Sequence, residues 1–215
     1  MAKRIFITAT NTDIGKTYTT KLLLNHYATK GYSVGVMKPI ETGVVNDFAP
    51  DASMLLDEVK RLNSNFKNLN YKDITPITYE LPAAPSVASN NKKIDLKKID
   101  ETLQKLEQLC DIILIEGAGG LFVPVDEDMM MIDLITYFDA TALLVTHCSL
   151  GCINDTLLSV KALKDYKIKH TYAFNCKEED KSFSVVSEPY FLNSSQKVLK
   201  VSEDIDTLSE LLYNL

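Results

Sequence analysis

Short, uniformly apolar segments alternate along this chain with stretches whose apolar residues recur three and four apart, and this alternation restricts its fold more than any other feature. Arg4–Thr8 (RIFIT), Ser33–Met37 (SVGVM), Cys110–Ile115 (CDIILI) and Thr141–Thr146 (TALLVT) are rich in β-branched residues and read as strands. Thr171–Phe174 and Val198–Val201 are weaker strand candidates. Thr17–Lys30, Leu96–Leu109 and Ile153–Tyr166 carry the helical period. Strands without a polar face are buried on both sides, and the intervening helices supply the cover. The expected fold is α/β, a single domain over residues 1–215 with a mostly parallel sheet and helices on both faces.

A net charge of -6 argues against a nucleic-acid partner, whose phosphates require a basic face. No apolar run approaches the roughly 20 residues of a membrane span, and no signal-peptide pattern precedes the first strand. A cytoplasmic protein without a membrane partner is expected. Cys110, Cys148, Cys152 and Cys176 form no CxxC pair, and the three histidines are scattered. A zinc site is therefore not expected, and the cysteines read as free, mostly buried thiols.

In open α/β sheets ligands gather at the carboxyl ends of the strands, so the residues after each strand carry the functional reading. After the first come Ala9–Ile14 and then Gly15-Lys16-Thr17, the end of the phosphate-loop pattern G-x-x-x-x-G-K-[ST], with Thr10 where that pattern has its first glycine. Helix N-terminal amides hold phosphate oxygens, a lysine there neutralises them, and a threonine hydroxyl ligates Mg²⁺. After the second strand comes Lys38, with Pro39 expected to stop further pairing. That strand should neighbour the first, so Lys16 and Lys38 converge, and two ammonium groups at one point are costly unless a polyanion lies between them.

The third strand ends in Glu116-Gly-Ala-Gly-Gly, an acid placed to hold a metal and glycines that let the backbone approach a ligand. Asp51 heads an expected helix, either as its N-cap or as a metal ligand. Thr17, Asp51 and Glu116 would supply the hard oxygens Mg²⁺ prefers. After the fourth strand, a loop with Gly151 opens a helix at Ile153. Its free amides, with Asn154, suit an anion such as a carboxylate, or the segment is a plain helix start. Met129–Met131 reads as core packing, Asn91–Lys98 as a solvated helix face, and Leu81–Ser89 as a loop inside the domain.

Taken in order, Thr10–Thr17, Lys38-Pro39, Asp51-Ala52, Glu116–Gly120 and Leu150–Asn154 closely resemble the dethiobiotin synthetases, whose phosphate loop is one residue longer than the general pattern. The resemblance runs from the N-terminus to about Asn175. It implies a P-loop NTPase-like fold and an ATP-dependent ring closure. In that reaction 7,8-diaminononanoate takes up CO₂ as a carbamate, the γ-phosphate of ATP activates it, and the second amine closes dethiobiotin.

By this resemblance Lys38 stabilises the carbamate and its mixed anhydride, assisted by Lys16, and Thr42 contacts the substrate. Lys16 and the amides of Asp13, Ile14, Gly15, Thr17 and Tyr18 hold the phosphates. Thr17, Asp51 and Glu116 hold Mg²⁺. Gly117, Ala118 and Gly119 lie along the nucleotide, and Asn175 meets the base. The family is a homodimer in which the loop containing Gly151, Cys152, Ile153 and Asn154 takes the substrate carboxylate near the interface, with Tyr190 a further candidate.

Two departures accompany the resemblance. Ala9 stands where the family has its first loop glycine, so its φ must be negative or the backbone strained. After Asn175 the family's Gly-x-(Ile/Leu)-Pro segment is missing from the stretch KVLKVSEDIDTL. A partitioning-type switch ATPase shares the architecture but carries a signature lysine that Thr8–Ile14 lacks. A non-catalytic nucleotide-binding module of the same fold is the other alternative.

Overall fold

A computed structural model describes residues 2–194 and 198–215, so Lys197, the first residue of KVLKVSEDIDTL, lies outside the described residues. In chain order the first half comprises β1 (Lys3–Ala9), α1 (Lys16–Thr29), β2 (Val34–Met37), β3 (Ile40–Thr42), α2 (Pro50–Leu62), α3 (Tyr71–Ile74), β4 (Ile77–Tyr79), α4 (Pro85–Ala88) and α5 (Leu96–Glu107). The second half comprises β5 (Ile112–Gly120), α6 (Met131–Tyr137), β6 (Thr141–His147), α7 (Cys152–Asp165), β7 (His170–Asn175), α8 (Phe183–Val186), α9 (Glu188–Asn193) and α10 (Ile205–Asn214). The main sheet is fully parallel with strand order β2-β5-β1-β6-β7.

The strands formed where β-branched runs made them probable. Ile5, Phe6 and Ile7 of β1 and Ile112–Ile115 of β5 have no solvent exposure, because helices cover both faces. Burial of each such side chain contributes about 1.5–3 kcal/mol. The helix α1 packs between α2 and α10, and the Tyr27 hydroxyl donates to the Ser209 carbonyl at 2.8 Å to tie it to α10.

The strand order revises one expectation with consequences for the site. The second strand does not neighbour the first, because β5 lies between them and Met37 pairs with Ile115. Lys38 and Glu116, each one residue further on, therefore meet across adjacent strands. With β5 and β2 on one side of β1 and β6 and β7 on the other, the phosphate loop sits where the strand order reverses.

Other local readings change too. Pro39 ends β2, yet pairing resumes at once in a separate parallel sheet, with Ile40 opposite Ile77 and Thr42 opposite Tyr79. Glu116–Gly120 continues β5 rather than leaving it as a loop. Val198–Val201 forms no strand. It makes only a bridge of Lys200 to Phe174, with the Phe174 amide donating to the Leu199 carbonyl at 2.7 Å. Of the methionine run, Met131 is buried but Met130 is exposed. Asn91–Lys98 is largely irregular chain leading into α5, whose first turn is capped by Asp95 accepting from the Lys98 amide. The cysteines are not all free: Cys148 and Cys176 are joined, while Cys110 and Cys152 remain thiols. They pair because adjacent parallel strands end beside each other, a proximity that a spacing of 28 residues does not reveal.

Candidate active site

The loop Thr10–Gly15 carries the chain from the carboxyl end of β1 into α1. Gly15 precedes the helix with φ 101°, and a Cβ there would also collide with the Asn175 side-chain amide. Asp13 adopts φ 59°, a value aspartate tolerates better than most residues. Ala9 is not among the residues with positive φ. It is an ordinary, fully buried strand residue, so the alanine imposes no backbone strain. Ile14 packs against the core while its carbonyl accepts from Asn175 Nδ2 at 2.8 Å, and Tyr18 is exposed on α1.

Lys16 Nζ reaches back to the Asn11 carbonyl at 3.2 Å. Its pKa is lowered, first by burial and then by the charge of Lys38. Thr17 Oγ1 donates within 2.9 Å of Glu116 Oε1 and 3.3 Å of Asp51 Oδ1. Lys38 Nζ lies 2.7 Å from Asp51 Oδ2 and 2.8 Å from Glu116 Oε1. Burial opposes the Lys38 charge, but Glu116 and Asp51 outweigh it and hold the pKa above the usual lysine value. Sequence reasoning treated the two lysines as an unbalanced pair of cations. The folded chain balances them with the two carboxylates assigned to metal.

Asp51 lies in the first turn of α2, but Ala49 is the N-cap and the Asp51 side chain makes no capping bond. That work falls to Glu41, whose two carboxylate oxygens accept from the amides of Asp51 and Ala52 at 2.8 and 2.9 Å. Glu41 was not singled out from sequence, because the helix end it caps is ten residues away and only folding brings them together. Thr20, also missed, donates to Glu116 Oε2 at 2.7 Å. Its position one turn after Thr17 on the same helical face was a legible signal.

Lys16, Thr17, Lys38, Thr42 and Asp51 line one cleft of about 640 Å³. Asp13, Gly15, Ala118, Gly119 and the missed Thr12, Glu41, Val123 and Pro82–Pro85 complete its wall. Leu81–Ser89, read as a plain loop, thus supplies part of the cleft and the short helix α4. Gly117 differs from its neighbours: a Cβ there would lie 2.8 Å from the Phe6 ring, so its smallness serves packing. Glu116 is wholly buried at the base, reached through Thr17, Thr20 and Lys38.

The second group of candidate residues stands apart. Gly151 is the N-cap of α7, which starts at Cys152, one residue earlier than expected. Cys152 is buried, and Asn154 donates to Asp155 Oδ1 at 3.2 Å. His147 bridges this turn, with Nδ1 2.6 Å from Ser149 Oγ and Nε2 3.0 Å from Asp155 Oδ2. Gly151, Cys152, Ile153 and Asn154 lie at the same end of the sheet but do not line the cleft, and neither does Asn175 or Tyr190.

Among the described residues no group of three or more His, Cys, Asp or Glu side chains could hold a metal by themselves. Two carboxylates and a hydroxyl converging beside a phosphate loop do fit Mg²⁺, which keeps several waters and takes substrate phosphates as further ligands. No helix among the described residues is long and apolar enough to cross a membrane.

A family described as an AAA domain matches residues 3–210. A protein of Sulfurovum sp. (strain NBC37-1), named ATP-dependent dethiobiotin synthetase BioD, is 53% identical over 87% of this chain and 89% of its own. The Wolinella succinogenes protein of the same name is 35% identical over 98% of each chain. Among solved structures, a plasmid partition protein from Borrelia burgdorferi superposes with a TM-score of 0.56 at 13% identity, over 99% of this chain and 96% of its own, which is a likeness of fold alone.

Proposed function

The chain belongs to the ATP-dependent dethiobiotin synthetase family, and we propose that its cleft closes the cyclic urea of dethiobiotin from 7,8-diaminononanoate, CO₂ and ATP. The observation that carries the assignment to this cleft is the convergence of Lys16, Thr17, Lys38, Asp51 and Glu116 around the phosphate loop.

Every intermediate on this route is anionic. CO₂ adds to one substrate amine to give a carbamate, whose oxygen attacks the γ-phosphorus of ATP as ADP leaves. The second amine then attacks the carbonyl carbon, and inorganic phosphate departs with the ring closed. The substrate's own amines are the nucleophiles, so the protein's task is to hold negative charge. Lys16 and the loop amides from Asp13 to Tyr18 bind the phosphates. Lys38, buried and preorganised, holds the carbamate and the mixed anhydride, a contribution on the order of 2–4 kcal/mol for such a donor. Thr17, Asp51 and Glu116 would hold Mg²⁺, which would supply neutralisation of the phosphate charge. Thr42 contacts the substrate from the cleft wall, and Asn175, which already touches the phosphate loop, faces the base.

The substrate carboxylate is received by the Gly151–Asn154 turn of a second subunit. The turn's absence from the lining of its own cleft supports this homodimeric reading. The switch-ATPase alternative rests only on the shared fold. Incubation with ATP, bicarbonate and 7,8-diaminononanoate, with mass-spectrometric detection of dethiobiotin, tests the proposal; ATP hydrolysis without dethiobiotin would overturn it.

A further inference from the structure

Cys148 and Cys176 stand one residue beyond the last register pair of β6 and β7, His147 opposite Asn175, with Cα atoms 5.0 Å apart and sulfurs bonded. That separation lies inside the range of about 4.4–6.8 Å in which two cysteines bridge without backbone movement. We propose that this pair is a reversible redox modification site that sets how firmly the base end of the nucleotide cleft is held. The proposal rests on the reading of Asn175 as the base-facing residue.

Both cysteines adjoin functional segments. Cys176 follows Asn175, whose side chain donates to the Ile14 carbonyl and covers Gly15 of the phosphate loop. Cys148 precedes the turn that opens α7. With the bond in place, the ends of β6 and β7 are held together beyond their backbone ladder. Without it, the chain after Asn175 is held by the Lys177 amide on Asp180 and by Phe183 and Phe191, whose rings pack 4.8 and 4.9 Å from that of Phe174. The free thiols are less suited to exchange. Cys110 lies against Gly35 away from the site, and burial pushes its pKa up to about 12, while Cys152 has no exposure.

The chemistry uses a low-molecular-weight disulfide, RSSR, as oxidant. Cys176 is partly exposed and Cys148 is buried, so the Cys176 thiolate attacks first. One RSSR sulfur bonds to Cys176, the S–S bond of RSSR breaks, and RS⁻ leaves and takes up a proton. The Cys148 thiolate then attacks the Cys176 sulfur and expels the second RS⁻. In sum, two protein thiols and RSSR give one protein disulfide and two RSH, and excess RSH reverses the exchange.

A bridge that preorganises Asn175 strengthens contacts to the base while leaving the phosphate contacts of Lys16 and the loop amides unchanged. Holding one side chain in place in this way is expected to change ATP affinity about two- to tenfold. The test treats the full-length protein with oxidised glutathione or with a phosphine reductant and maps Cys148–Cys176 by peptide mass. Dissociation constants for Mg-ATP and for inorganic tripolyphosphate are then measured in both states. The linked peptide should appear only after oxidation, the reduced protein should bind ATP more weakly, and tripolyphosphate should bind equally in both states. Cys110→Ser should retain the linked peptide, and Cys176→Ser should lose both the peptide and the response to oxidant. No linked peptide, or equal ATP affinity in the two states, overturns the proposal. Asn175→Ala separates it from the underlying reading: unchanged ATP affinity in that variant sinks the role of Asn175, whereas peptide mapping reports on the bond regardless.

Discussion

Lys38 Nζ lies 2.8 Å from Glu116 Oε1, and neither side chain has more than 3% exposure to solvent. The two belong to neighbouring strands, β2 and β5, at equivalent positions just past the Met37–Ile115 register pair. A buried ion pair of this kind is costly to break by removing one member, because the other is left charged and unpaired.

Lys38→Met should therefore lower both turnover and stability. Loss of one partner of a buried pair costs about 3–5 kcal/mol, measurable by urea unfolding. The double variant Lys38→Met, Glu116→Gln should recover part of that stability without recovering activity. Lys16→Ala should instead raise the dissociation constant for ATP with a smaller stability change, because Lys16 hydrogen-bonds a backbone carbonyl rather than a buried carboxylate. Equal stability of Lys38→Met and wild type would show that the pair contributes nothing to the fold.

The acid limb of stability should depend on the same lysine. Burial pushes the Asp51 carboxyl up, but Lys38 and the Thr17 hydroxyl more than reverse this, leaving it below the usual carboxylate value. A depressed folded pKa adds stability that is complete above the unfolded value of about 3.9 and is lost as pH falls through the folded value. Wild-type unfolding free energy should thus fall more steeply below about pH 4 than that of Lys38→Met. Parallel pH profiles would remove Lys38 as the cause.

Glu41→Gln should weaken the start of α2. Glutamine offers one acceptor oxygen where Glu41 uses two, so either the Asp51 or the Ala52 amide loses its partner. An unsatisfied buried group costs about 1–3 kcal/mol. Because the affected turn carries Asp51, the Mg²⁺ concentration for half-maximal turnover should rise. Thermal unfolding and a Mg²⁺ titration measure the two effects; wild-type values in both would show the cap to be dispensable.

Base selectivity should be modest. Asn175 already spends its amide on the Ile14 carbonyl, and the segment after it lacks the turn that relatives are expected to use. Each missing hydrogen bond to the base costs about 0.5–1.5 kcal/mol. The ratio of kcat/KM for ATP over GTP should therefore stay below about a thousandfold, and Asn175→Ala should lower it further. A larger ratio in wild type would place recognition elsewhere.

Asn154→Ala should raise KM for diaminononanoate while leaving that for ATP nearly unchanged, and sedimentation should find a dimer. A fully active monomer would contradict the supply of this turn by a second subunit.

Much of the site was legible in the sequence because its parts are local. Gly15-Lys16-Thr17 opens a helix one short loop after a strand, and the loop amides and the lysine are positioned by that stretch of backbone. The central strand β5 was equally legible, since Ile112–Ile115 has nowhere to go but a doubly covered sheet. The two-residue gap between β2 and β3 was not legible, because Pro39 marks where one ladder ends and says nothing of a second sheet starting at Ile40.

What the sequence by itself determined was the set of chemical groups and the strand end each occupies, because both follow from nearest neighbours along the chain. The tertiary structure alone decided which strand ends meet. By inserting β5 between β2 and β1 it set Lys38 against Glu116; by placing β3 beside the start of α2 it turned Glu41 into that helix's cap, and by pairing β6 with β7 it brought Cys148 beside Cys176. Strand order depends on how all the helices and strands share one core, a non-local free energy that no short stretch of sequence encodes.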